Sequence, residues 1–207
     1  MNNFREIMEI FQNDNPNPKC ELNYSNLYTL LIAVLLSAQS TDKGVNKATA
    51  ELFKVADSPR KMLALGEEKL KHYIKTIGLY NNKAKNIMRL SEMLCEKFGG
   101  EVPLDHSLLQ ELPGVGRKTA NVVFNVWLDA PTIAVDTHVF RIAHRLGISE
   151  GKTPVEVEKD LEAKIPPEFH KNLNHWFVLF GRYICKAKNP NCKECKLQKY
   201  CLDKQNS

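Results

Sequence analysis

Apolar residues recur along this chain at the spacing of a helix. Phe4, Ile7, Met8 and Phe11 form one stripe, Val45, Ala48 and Leu52 a second, and Leu70, Tyr73, Ile74 and Ile77 a third. Ala84, Ile87, Ser91, Leu94 and Phe98 form a fourth. Steps of three and four residues put each set on one face of a 3.6-residue turn, whereas a half-buried strand would alternate. The punctuation agrees. Ser58-Pro59 and Thr153-Pro154 are placed as N-cap and first helical residue, Thr153 and Glu156 are spaced as a capping box, and Gly66, Gly78 and Gly147 follow periodic segments as helix ends. The pattern predicts about ten short helices and no sheet, an all-α protein.

The longest apolar run, "LYTLLIAVLLSA" at residues 27–38, is interrupted by Tyr28, Thr29 and Ser37. It falls short of the roughly 20 residues that span a bilayer and reads as a buried core helix. The N-terminal segment carries acidic residues and lacks an apolar stretch ending in a small-residue cleavage site, so neither a secretory nor a transit signal is expected and the simplest location is cytoplasmic. With 207 residues, 43% hydrophobic and 26% charged, the chain can bury one or two cores and does not read as disordered. No repeat, low-complexity tract or linker divides it.

Charge and cysteines concentrate in the same place. The net charge is +5, and residues 182–207 carry seven Lys or Arg against two acids. A clustered basic segment fits a polyanionic partner, or a solvated surface. Four of the six cysteines, Cys185, Cys192, Cys195 and Cys201, fall within those residues at C-x6-C-x2-C-x5-C spacing. A reducing compartment disfavours disulfides, so the crowding points to a metal, and the loop suits either tetrahedral zinc or a four-iron, four-sulfur cubane. Cys95 shares the apolar face of the fourth stripe and reads as a small packing residue; Cys20 has no partner in sequence.

The segment "DHSLLQELPGVGRKTANVVFN" holds two helices with a break between them. Leu108, Leu109 and Leu112 belong to the first, Ala120, Val123 and Val126 to the second, and residues 113–116 form a tight turn. Gly114 and Gly116 permit positive φ and leave room for another backbone, while the second helix opens with amides that have no acceptor in their own helix. Such amides attract phosphate. An ordinary helical hairpin needs only one glycine and gives no reason for "GVGRK", so Gly114, Val115, Gly116 and Arg117 are candidate phosphate contacts.

"LPGVGRKTA" resembles the helix-hairpin-helix of the DNA glycosylase superfamily. "AVDTHVFR", "LLIAVLLSAQSTD", "VNKATA", "YIKTIGLYNNKA" and the cysteine spacing extend the likeness over nearly the whole chain, toward the endonuclease III family. That resemblance implies a two-lobed fold, with a helical barrel domain at about residues 21–130 and a cluster domain made of residues 1–20 and 131–207. Double-stranded DNA with damaged pyrimidines or abasic sites would lie across the cleft and be processed by a monomer in the cytoplasm, at the nucleoid.

It also implies roles. Lys118 would attack C1′ of the deoxyribose, expel the base and hold the sugar as a Schiff base, and β-elimination would then nick the strand. The positive end of the helix dipole near Lys118 disfavours an ammonium, and Asp136 would orient the amine and stabilise the developing oxocarbenium ion. Without the resemblance, Lys118 reads as a phosphate contact and Asp136 as the N-cap before Thr137; Asp136 can serve both ends. Because a stacked base is out of reach, the nucleotide must be flipped out. Gln39 would fill the void and Leu79 would wedge the opposite strand, against the plainer readings of a helix end before a cap at Asp42 and of packing beneath a loop. Ser40 stands where the family pattern leads one to expect alanine or threonine. His138 would face the same DNA. The four cysteines would hold a structural [4Fe-4S] cluster whose surrounding lysines meet phosphate. Two rivals are an enzyme like the adenine-specific mismatch glycosylases, which usually lack this lysine, and a DNA-binding module without catalysis.

Overall fold

The computed structural model describes residues 4–203. Among them the chain forms eleven α-helices, three single-turn 3-10 segments and no strand. The helices are α1 (Phe4–Asp14), α2 (Leu27–Ser37), α3 (Asp42–Val55), α4 (Pro59–Leu65), α5 (Glu67–Ile74), α6 (Tyr80–Lys97), α7 (His106–Glu111), α8 (Arg117–Leu128), α9 (Thr137–Arg145), α10 (Pro154–Lys164) and α11 (His170–Tyr183). None of the described helices is long and apolar enough to cross a membrane. The chain divides into two compact units, Glu21–Leu128 and a discontinuous one joining Met1–Cys20 to Asp129–Ser207.

In the continuous unit α2 is the core, buried from Tyr28 to Leu36 and packed by α3, α6 and α8. It starts where Asn26 and Thr29 close a capping box, an arrangement that typically stabilises a helix by about 1 kcal/mol. Asn26 also donates through Nδ2 to the carbonyl of Asp57, tying the start of α2 to the approach to α4. A hydrogen bond of 2.7 Å between the Tyr28 hydroxyl and Ser91 Oγ satisfies two buried polar groups between α2 and α6. The expected stripes face inward: Val45, Ala48 and Leu52 on α3, and Ala84, Ile87, Ser91 and Leu94 on α6, are buried.

The discontinuous unit closes around α1, α9, α10 and α11. Ile7, Met8 and Phe11 of α1 join Val139, Ile142, Trp176 and Phe177 in one apolar cluster. Phe11 stacks on Trp176 at 6.1 Å and meets Phe180 edge-on at 5.2 Å, while Trp176 Nε1 donates to the Asn15 carbonyl. Thr153 and Glu156 form the expected capping box under Pro154.

The departures from expectation are local. Gly66 ends α4 and at once opens α5, at φ 82°, so one predicted helix boundary has helices on both sides. Gly78 does not take the left-handed conformation after α5; Leu79 does, at φ 58°, and serves as the N-cap of α6. The cap of α3 is Thr41, whose side chain accepts from Gly44 N, with Asp42 as the first helical residue.

Candidate nucleic-acid interface and cysteine loop

The hairpin between α7 and α8 is built from residues that leave its tip bare. Asp105 Oδ1 caps α7 by accepting from the amides of Ser107 and Leu108, each at 2.9 Å. Leu109 and Leu112 are buried, and the turn closes when Val115 N donates to Leu112 O at 3.0 Å. Val115 is buried too, so both its side chain and its amide are taken up inside the turn. Gly114 has φ +81°, and a methyl there would sit 2.9 Å from Asn86 Nδ2 of α6. Gly116 differs: it is not among the positive-φ glycines, and a methyl there would meet nothing within 4 Å.

Ala120 N donates to Gly116 O, which makes Gly116 the N-cap of α8. Arg117 and Lys118 follow in the first turn with exposed side chains, at the end of the helix where amides lack an acceptor of their own and the dipole is positive. Sequence reading missed what clamps the hairpin. His106 Nε2 and Asn121 Oδ1, 2.7 Å apart, link α7 to α8, and Asn86 fills the space beside Gly114.

Asp136 lies in the other unit. It is the N-cap of α9, and its Oδ1 accepts from both His138 N and Val139 N at 2.8 Å. The cap therefore does not use Oδ2. His138, half-buried, has Nδ1 3.2 Å from Arg141 Nη2, and burial lowers its pKa below the ordinary histidine value. Its ring packs against Gly181, where an added methyl would come within 3.0 Å. His138 is thus held between α9 and α11.

Gln39 and Leu79 sit on neighbouring turns. Both are exposed, Leu79 by 59%, and both are non-glycine residues in left-handed backbone, at φ 57° and 58°. The turns touch, since a methyl on Gly78 would stand 3.4 Å from the Gln39 carbonyl. An apolar side chain so far out of the core, on a backbone that costs an L-residue about 1–2 kcal/mol, calls for a reason outside packing.

None of the four clustered cysteines is in a disulfide, and all four line one cavity of about 310 Å³ together with Ile184, Pro190 and Asp203. Short hydrogen-bonded turns fold the loop around it: Cys195 N to Cys192 O, Cys201 N to Gln198 O, and Asn191 N to Ile184 O. Arg145 Nη1 donates to Cys185 Sγ at 3.2 Å, and Arg145 Nε pairs with Asp203. Burial pushes the thiols of Cys195 and Cys201 up. No three His, Cys, Asp or Glu side chains among the described residues converge on a single metal ion. Four soft donors around a roomy cavity fit a polynuclear group better than one small cation.

The described lysines of the loop are all exposed. Lys196 pairs with Asp14 and Lys199 with Glu6, both on α1.

Comparison with known proteins covers nearly all of the chain. Residues 32–167 match the family described as HhH-GPD superfamily base excision DNA repair protein. The chain is 54% identical to endonuclease III of Rickettsia conorii over 95% of its length and 93% of the relative's. With endonuclease III of Escherichia coli (strain K12) it shares 52% identity over 97% and 95%. Among solved structures, a trapped endonuclease III–DNA covalent intermediate superposes with a TM-score of 0.91 at 46% identity, covering 98% of this chain and 97% of that one. A thermostable thymine-DNA glycosylase, at 23% identity and TM-score 0.84, shares the fold. The chain belongs to the HhH-GPD superfamily of base excision DNA repair proteins and, within it, to the endonuclease III family.

Proposed function

We propose that the protein is a bifunctional base-excision DNA glycosylase, removing oxidised pyrimidines from duplex DNA and cleaving the strand at the resulting abasic site. The observation that carries this reading is the near full-length match to an endonuclease III trapped as a covalent intermediate with DNA, together with an exposed lysine, Lys118, in the first turn of the helix behind the glycine hairpin.

In this reading the amides at the start of α8 and the open face of Gly116 hold phosphate, and Arg117 adds charge. The Lys118 lone pair attacks C1′, the glycosidic C–N bond breaks, and the base leaves with the bonding pair and takes up a proton. Asp136, its Oδ2 outside the cap, stabilises the positive charge that builds on the sugar. Ring opening gives an iminium between Lys118 and C1′. Loss of a C2′ proton expels the 3′ phosphate, and water then releases the lysine. Gln39 and Leu79 occupy the gap and the opposite strand while the nucleotide is out of the stack.

Cys185, Cys192, Cys195 and Cys201 are proposed to hold a [4Fe-4S] cluster, which would cross-link the loop and take no part in the bond changes. Their shared cavity supports this. Action on chromosomal DNA would place the protein in the cytoplasm, at the nucleoid.

Borohydride reduction of the iminium tests the nucleophile. Wild-type protein should be trapped covalently on abasic duplex DNA, and Lys118→Gln should lose the adduct while still binding that DNA. An adduct formed by Lys118→Gln would exclude Lys118, and binding without any adduct in the wild type would favour a non-catalytic module.

A further inference from the structure

Lys83, in the first turn of α6, is only 6% exposed. Its ammonium donates to the Leu36 carbonyl at 2.9 Å and the Ala38 carbonyl at 2.5 Å, and lies 3.5 Å from Ser40 Oγ. Its partners are thus the final carbonyls of α2, at the negative end of the helix dipole, and the hydroxyl beyond Gln39. Burying a cation without a carboxylate is expensive, and burial lowers this lysine's pKa. A methionine would fill the same space without that cost, so the ammonium itself has work to do.

Its position shows what that is. The side chain brackets Gln39, with contacts before it at Ala38 and after it at Ser40. The same residue stands one helical turn beyond Leu79, the N-cap of α6, with Lys83 N donating the first bond of that helix to Leu79 O at 3.1 Å. The turn at Gln39 is closed by Ser40 N to Ser37 O at 3.0 Å and touches Gly78 across the gap. We propose that Lys83 is a positioning residue for base extrusion: its side chain ties the Gln39 turn to the start of the helix that Leu79 caps, and so sets the two in register to enter the duplex as a preformed pair. The proposal rests on the intruding roles assigned above to Gln39 and Leu79.

The test compares two substrates under single-turnover conditions. One is a duplex containing thymine glycol, which requires extrusion. The other is a single-stranded abasic oligonucleotide read by borohydride trapping, which has neither a stacked base nor an opposite strand. Lys83→Met keeps the apolar stem, and excision from the duplex should fall about tenfold to a hundredfold, as expected for a small misplacement, with trapping on the single strand changed by less than about twofold. Lys83→Arg should recover part of the loss. In a Gln39→Ala background the Lys83→Met effect should largely vanish, since the lysine acts through that loop. If Lys83→Met fails to fold by thermal melting, Lys83→Gln is read in the same way. Equal losses on both substrates, or full duplex activity in a folded variant, would overturn the proposal. If instead Gln39→Ala and Leu79→Ala leave duplex excision unchanged, the intrusion reading beneath it falls.

Discussion

Asp136 carries a structural and a chemical task on one carboxylate, and the two can be separated by substitution. Both cap bonds go to Oδ1, and an asparagine oxygen can accept them equally well. Asp136→Asn should therefore melt close to the wild type yet excise bases much more slowly, with cleavage at preformed abasic sites less affected. Asp136→Ala should lose the same activity and in addition about 1 kcal/mol of stability. Parallel melting and excision measurements decide the matter, and a fully active Asp136→Asn would remove the charge argument. The cap was legible from the position of Asp136 before Thr137; the chemical role required the family resemblance. Lys83 was not legible at all, because a lysine in a helical pattern reads as solvated until its tertiary acceptors are known. The left-handed backbone at Leu79 was hidden for a related reason: Gly78 beside it is the residue that normally takes such a conformation.

Helix existence was readable from the apolar period, with capping chemistry pointing the same way at α4 and α10. Boundaries depended on contacts distant in sequence, as at Thr41 and on either side of Gly66. The hairpin between α7 and α8 shows the limit most clearly, since its two glycines look equivalent in "PGVG" and are not. Gly114 needs both its positive φ and the room taken by Asn86, whereas Gly116 has an open side. Gly114→Ala should cost roughly 1–2 kcal/mol and lower the melting temperature. Gly116→Ala should melt nearly as the wild type but bind duplex DNA more weakly, because its methyl would occupy the side where phosphate is proposed to approach. If the two variants lose affinity in proportion to their stability, the open side of Gly116 has no role in binding.

For the molecule as a whole, the +5 net charge was plain from composition, but its deployment was not. Lys196 and Lys199 face acids of α1, and exposed pairs of this kind add little stability. Lys188→Ala or Lys193→Ala should each weaken binding to any duplex and reduce the slope of log affinity against log salt by about 1. Lys196→Ala and Lys199→Ala should leave that slope nearly unchanged. Binding isotherms at several salt concentrations would show whether the division holds.

The discontinuity of the second unit also governs how the chain is made. The Trp176 ring that packs on α1 donates to the Asn15 carbonyl across 161 positions. At 5–20 residues per second, roughly 8–30 s separate the emergence of α1 from that of its partner. Residues 21–128 can close their own core during that interval, while Ile7, Met8 and Phe11 wait with their apolar faces uncovered. α1 is thus made well before the partners that bury it, and its stripe is a stretch of the nascent chain open to a chaperone's cover in that interval.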